Sequence, residues 1–325
     1  MTVERSLQAD SASNAYKRLL SRTTERNTLK LPETTEEHID ELAVHLPSKL
    51  QTDLQMHSQI SELIYISFLS VSICLILGSK VLEYRIQNGY TANIGDFPSV
   101  VLLIGKTHRC TGTLIAPDKI LTAGHCACGD TMKKAYANIT DLDQRETSFV
   151  QVRPIIQVAY PVSYENSCNK LAQGNTENHN ELGGASDVAI LTVKEPFELH
   201  PGFVEIAPMD LNRELADQHQ ILREQNDAHA VVLGFGKDPN SHTTGMLRYG
   251  FVALSECPTD IPIRTEGAVC SNIDINYQTP EVGDSGGPLI EYSGRVIGVT
   301  SIAGSGWTVF PSVAHHAKFI RTQLQ

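Results

Sequence analysis

An all-β fold, a barrel or a sandwich, is predicted for residues 86–325 of this 325-residue chain. Two observations predict it. Short apolar, β-branched runs recur between Gly, Pro, Asn and Asp: PSVVLLIG from Pro98, TGTLIAP from Thr111, VQVRPIIQV from Val150, VAILTV from Val188, AVVLGFG from Ala230 and RVIGVTSI from Arg295. Each has strand length and turn residues at its ends. Helical periodicity is scarce over the same region.

In chain order, residues 1–62 are polar, mixed in charge and poor in aromatics, which reads as disordered or weakly helical. Leu63–Leu77 is apolar, and the 17 residues 63–79 between Glu62 and Lys80 carry no charge. That length sits at the short edge of a membrane span. Two readings stay open. In the first, translation starts at Met56 and the run is the core of a cleaved secretory signal. In the second, it is an uncleaved anchor with residues 1–62 in the cytoplasm. Lys49 is the one cation in the twenty residues before the run, whereas Lys80 and Arg85 follow it closely. That bias is wrong for such an anchor and favours secretion. In both cases residues 86–325 face outside the cell.

The β-rich part has a junction near 205–230. It ends in a predicted helix over Val313–Leu324, where Val313, Ala317 and Ile320 recur at spacings of four and three, as one buried face requires. A net charge of −11 and the lack of any Lys/Arg run argue against nucleic acid as a partner. No phosphate-cradling glycine loop and no internal repeat occur, so no cofactor is expected.

Three motifs carry chemistry. EVGDSGGPLI (Glu281–Ile290) places Ser285 in a glycine-rich turn ahead of an apolar run. A serine hydroxyl needs a neighbouring base, and the base needs an orienting group. ILTAGHC (Ile120–Cys126) supplies His125, and SDVAILTV (Ser186–Val193) supplies Asp187. Each residue alone fits an ordinary turn or strand start. The order His, Asp, Ser is one of the chain orders in which this triad occurs.

On these three motifs the chain resembles the trypsin/chymotrypsin family of serine endopeptidases from about Ile86 to the C-terminus. The resemblance implies two packed six-stranded antiparallel β-barrels with a C-terminal helix. It divides the chain into 1–62, the apolar segment 63–79, a short activation segment 80–85 and a protease domain 86–325. It implies His125, Asp187 and Ser285 as catalytic residues, with the backbone N–H groups of Gly283 and Ser285 as the oxyanion hole. Arg85-Ile86-Gln87-Asn88-Gly89 is similar to the family's activation site, though Gln87 and Asn88 depart from it. Cleavage after Arg85 would free the Ile86 amine to pair with Asp284.

For the pocket holding the side chain before the cut, the resemblance points to Thr279 at the floor, the segment with Ser301 and Ala303, and Ser312 on the far wall. A neutral, narrowed pocket is expected, with cleavage after a neutral residue. Glu281 stands where the family has a cysteine, so the pocket lacks its bridge; a slipped register would bring Asp274 or Glu281 into it. Cys110–Cys126 and Cys257–Cys270 match family bridges, Cys128 and Cys168 are left as a third pair, and Cys74 is expected to be unpaired. Asn138-Ile-Thr140 is an N-glycosylation acceptor in a secreted protein.

Metal is not expected. His125, Cys126 and Cys128 are too close in sequence to share one tetrahedral ion without strain, and Asp141, Asp143 and Glu146, where some relatives hold calcium, read as a solvated loop. The implied partners are protein or peptide substrates, an activating trypsin-like protease and protein inhibitors, with a membrane only if the apolar run persists. The alternative is a protease-fold binding or inhibitory protein with little turnover, a class that usually lacks a triad residue.

Overall fold

The computed structural model describes residues 86, 89–129, 132–144, 147, 149–172, 183–209, 211, 229–237, 245–272, 278–304 and 306–325. The expectations for residues 1–85, including the apolar run, Cys74 and Arg85, and those for Glu146 and Asp274, lie outside the described residues. Among the described residues no helix is long and apolar enough to cross a membrane.

Six strands close a barrel in the order β2-β3-β4-β7-β6-β5. They are β2 (Val100–Ile104), β3 (Arg109–Ala116), β4 (Lys119–Thr122), β5 (Lys134–Ala137), β6 (Gln151–Ala159) and β7 (Ala189–Val193). The second half contains β8 (His229–Gly234), β9 (Arg248–Ser255), β10 (Ala268–Asn272), β11 (Pro288–Glu291), β12 (Val296–Val299), β13 (Ile302–Gly304) and β14 (Trp307–Pro311). Its order is β12-β11-β8-β9-β10-β14-β13, and a bridge between Gly298 and Ser312 brings β12 back to the end of β14. The short β1 (Tyr90–Thr91) crosses over to pair with β9. The all-β class read from the apolar runs is what the structure has.

Alternation along two strands joins the halves. Successive strand residues face opposite sides. In β2, Val101 and Leu103 enter the core of the first barrel, while Val100 and Leu102 face outward. In β8, Ala230 and Val232 enter the second core, while Val231 and Leu233 face outward. The outward residues meet with Phe235 and Tyr249 in a third apolar cluster between the barrels. Both strands are therefore buried on both faces, which explains why they read as unbroken apolar runs rather than as alternation.

Two helical features differ from expectation. The C-terminal helix, α3, spans Ala317–Gln323 and starts four residues later than predicted. Ser312 N–H donates to Gly267 and Val313 N–H to Ile297, so the backbone is held in the barrel seam and cannot wind earlier. Val313, Ala317 and Ile320 are nonetheless all buried. A second helix, α2 (Val162–Ala172), was not anticipated. Its buried face among the described side chains is Tyr164 and Cys168, one turn apart, too sparse a stripe to announce a helix. A single turn, α1 (Gly124–Ala127), lies between β4 and β5.

Three disulfides form: Cys110–Cys126, Cys128–Cys168 and Cys257–Cys270. In the loop-entropy picture, closures of this length each stabilise by about 3–4 kcal/mol.

Candidate active site

The first barrel presents the imidazole and its carboxylate. His125 sits in α1, shortly after β4, and Asp187 lies two residues before the start of β7. Because β4 and β7 are neighbours in the barrel, residues 62 apart in sequence come together. Asp187 is fully buried. Its Oδ1 accepts from the His125 backbone N–H at 2.7 Å, and its Oδ2 faces His125 Nδ1 at 2.7 Å. The same Oδ2 accepts from the Ser301 hydroxyl at 2.6 Å. Ser301 Oγ in turn accepts from Gly184 N–H at 3.0 Å. Three bonds thus fix the carboxylate and, through it, the ring and its tautomer, while Gly184 holds the Ser301 hydroxyl. Burial opposes a charged imidazole, but the Asp187 charge and hydrogen bond outweigh it, so the His125 pKa lies above its ordinary value.

Two further residues brace this side. His316, buried below α3, donates from Nε2 to the Ala185 carbonyl at 2.7 Å, two residues before Asp187. Burial holds its pKa below the ordinary range. Tyr164 of α2 packs its ring against the α-carbon of Gly124, where a β-carbon would come within 2.5 Å of a ring atom. Its hydroxyl is buried, and burial followed by the nearby Asp187 charge makes it very hard to ionise. The Cys128–Cys168 bridge ties α2 to the chain just after His125. Sequence reasoning missed Tyr164 and His316, and it saw Ser301 only as a pocket residue.

The second half presents Ser285, on the connection from β10 to β11. Gly283 has φ +102° and Gly286 φ +82°, conformations closed to most other residues. These two glycines turn the chain sharply on either side of Ser285. Thr111 of β3 holds the turn from the opposite barrel. Its N–H donates to the Ser285 carbonyl at 2.8 Å, its hydroxyl donates to the Gly283 carbonyl at 3.0 Å, and the same oxygen accepts from Phe235 N–H at 3.0 Å. Cys126 Sγ, one residue from His125, lies 3.6 Å from the Ser285 carbonyl. The serine turn therefore lies against the histidine turn. Among the described residues no hydrogen bond joins the His125 ring to Ser285 Oγ; bonds of this kind tighten when substrate binds. Among the described residues, the N–H groups of Gly283 and Ser285 donate to no protein acceptor.

Asp284 is buried beside this turn. Its Oδ1 accepts from Gly236 N–H and its Oδ2 from Glu281 N–H, both at 2.8 Å. Burial is the largest influence and pushes its pKa up to about 7; the two N–H donors and the more distant Arg248 charge pull the other way, and the Glu281 charge adds to the rise. Ile86 is buried in the core of the second half with Val232, Val252 and Phe310, and its φ of +29° is strained for a β-branched residue. Arg85 lies outside the described residues.

The expected pocket residues are spread over two elements. Thr279 is nearly buried ahead of the serine turn, and Ala303 is exposed on β13, directly opposite Thr308 of β14. Ser312 lies farther along, in the seam opposite Gly298, where its Oγ accepts from His315 N–H at 3.3 Å. Thr308 was not singled out from sequence. Glu281 is half-buried, and its backbone is tied to Asp284.

The remaining expectations concern the surface. Asn138 is half-buried in a left-handed turn (φ +57°), and its Nδ2, the atom a glycan would occupy, donates to the Phe149 carbonyl at 3.0 Å. Asp141 Oδ1 accepts from Asp143 N–H at 2.9 Å, within the turn expected to be solvated. Among the described residues one group has metal-ligand spacing: Cys110, His125 and Cys126. Its two sulfurs are bonded to each other, so they offer no thiolate to a metal.

The site has relatives. The Trypsin family model matches residues 86–320. The cercarial protease of Schistosoma mansoni is 26% identical over 255 residues, covering 70% of this chain and 86% of its own. Lectizyme of Glossina austeni is 26% identical over 247 residues, covering 70% of this chain and 81% of its own. Among solved structures, neuropsin, a serine protease of mouse brain, has a TM-score of 0.57 at 18% identity, covering 73% of this chain and 99% of that one. With the family model spanning both barrels and all three motifs, the chain belongs to the trypsin family and is a serine endopeptidase that acts on proteins or peptides.

Proposed function

We propose that the chain is an extracellular protease made as an inactive precursor, cutting after neutral residues through an acyl-enzyme. The observation that carries the mechanism is the doubly bonded His125–Asp187 pair, with the Ser285 turn against it and two uncommitted N–H groups flanking the hydroxyl.

In this mechanism Ser285 Oγ attacks the carbonyl carbon before the cut while its proton passes to His125 Nε2. Asp187 keeps the Nδ1 proton in place and stabilises the imidazolium without taking the proton. The N–H groups of Gly283 and Ser285 receive the developing oxyanion, each worth about 3 kcal/mol. His125 then protonates the leaving amine. Water then gives a proton to His125 as its oxygen attacks the acyl carbon, and His125 returns that proton to Ser285 Oγ as the acyl–oxygen bond breaks and the acid leaves. Thr279, Ser301, Ala303 and Ser312 would line a pocket without charge, and Thr308 lies opposite Ala303 across the hairpin.

Activation follows from Asp284. In the uncut chain its buried carboxylate has N–H donors and only the more distant Arg248 charge. Cutting after Arg85 by a protease that favours Arg would create an ammonium at Ile86, whose side chain is already seated in the second core. An ammonium–carboxylate pair there would order the serine turn, a disorder-to-order switch. Three disulfides favour an oxidising compartment, which supports secretion through the segment 63–79 as signal or anchor.

A serine-reactive phosphonate tests the whole scheme. Wild type cut at Arg85 should be labelled at Ser285, whereas Ser285→Ala and uncuttable Arg85→Gln should not. Absence of an adduct in the cut wild type would remove the acyl-enzyme; full labelling of Arg85→Gln would remove the precursor.

A further inference from the structure

A cleft of about 400 Å³ opens beside Gly283. Its walls come from the turn between β2 and β3, from Phe235 and Lys237 after β8, and from Val282, which is 78% exposed. No residue of the 300–304 segment lines it. If Gly283 N–H marks the oxyanion, the acyl half of a substrate follows Ser301 and Ala303, and the half that leaves with the amine has this cleft.

The lining is unlike the rest of the molecule. The chain carries a net charge of −11, yet Lys106, Arg109 and Lys237 all line the cleft and are exposed, and among the described residues no carboxylate does. Exposed Val282 supplies apolar surface among them, with buried Phe235 behind. Low-dielectric walls carrying one sign of charge concentrate field in a cleft and draw in the opposite charge. An apolar surface beside several cations suits an extended peptide that presents carboxylates.

From this we infer that the enzyme selects substrates with acidic side chains among the residues immediately after the cut. The inference rests on the endopeptidase mechanism above and adds to it a preference on the leaving side. Exposed ion pairs contribute little singly, so the selectivity comes from the three cations acting together. It is a rate preference that weakens with salt.

The test is cleavage of a peptide library randomised on both sides of the cut, with sites read by mass spectrometry, using the full chain after cleavage at Arg85. Asp and Glu should be enriched over Lys and Arg after the cut by about fivefold to tenfold at low salt. The enrichment should shrink towards unity near 1 M salt, where screening acts within about 3 Å. In the double variant Lys106→Glu/Lys237→Glu the order should invert. Because each protein is read by its own acid-to-base ratio, loss of overall rate does not blur the result. Equal enrichment in wild type, or a ratio unmoved in the double variant, overturns the preference while phosphonate labelling of Ser285 still stands. Failure of both labelling and library cleavage removes the endopeptidase mechanism, and the preference with it.

Discussion

The wall that carries His125 and the wall that carries Ser285 are built by opposite means. Around His125 the order is covalent: Cys110–Cys126 and Cys128–Cys168 both anchor α1, and Asp187 is held by three hydrogen bonds with His125 and Ser301. Around Ser285 no bridge reaches the turn among the described residues. The turn depends on Thr111, on Gly283 and Gly286, and on a buried carboxylate. A disulfide has one arrangement. Hydrogen bonds and a buried charge can rearrange. In the activation scheme proposed above, the rigid wall keeps the base ready and the soft wall is where the precursor is silenced.

The sharpest way to break this contrast is within the rigid wall. Asp187→Asn should leave the fold intact but lower kcat by about 10⁴-fold, because the ring loses its tautomer lock, the magnitude characteristic of this triad. A loss below tenfold, measured on a folded variant, would mean that Asp187 merely packs.

Next in size is the staple. Replacing Cys128 and Cys168 together with serine should lower stability by about 3–4 kcal/mol in the loop-entropy model and Tm by about 10 °C. It should also lower kcat, since Tyr164 and α2 would no longer be pressed against Gly124. Unchanged kcat with a lower Tm would confine α2 to a structural role. Calorimetry and steady-state kinetics on the same preparation separate the two.

The smallest effect lies in the soft wall. The folded pKa of Asp284, about 7, stands above its ordinary value of 3.8. A raised carboxyl pKa means that the folded state holds the proton more tightly. Its contribution is therefore complete below pH 4 and is lost as pH rises through 7. Uncut Arg85→Gln should show this as a Tm lower by several degrees at pH 7.5 than the rest of its pH profile predicts. In the cut chain the new ammonium should remove that loss. Identical pH profiles for the two forms would leave Asp284 without its latch.

Much of this was legible along the chain because the governing interactions are local or strictly patterned. The apolar runs became β2, β3, β6, β7, β8 and β12, and ILTAGHC, SDVAIL and GDSGGP each sit at a strand end, where a turn presents one side chain. The helix α2 was illegible because its buried face consists of Tyr164 and a cysteine whose partner lies forty residues away. The late start of α3 was illegible because Ser312 and Val313 are held by β-strand neighbours that no helical pattern records.

The amino-acid order by itself determined the all-β class, the cysteines available for pairing and the serine, histidine and aspartate that a proton relay needs. Those depend on side-chain chemistry and on short-range periodicity, and both are written residue by residue. Only the folded chain decided that Thr111 would tether the serine turn, that Ser301 would bond to Asp187, that Thr308 would face Ala303, and that Lys106, Arg109 and Lys237 would share one cleft. Each of these joins residues far apart in sequence. Their meeting depends on which strands become neighbours, a result of burying both faces of β2 and β8 at once.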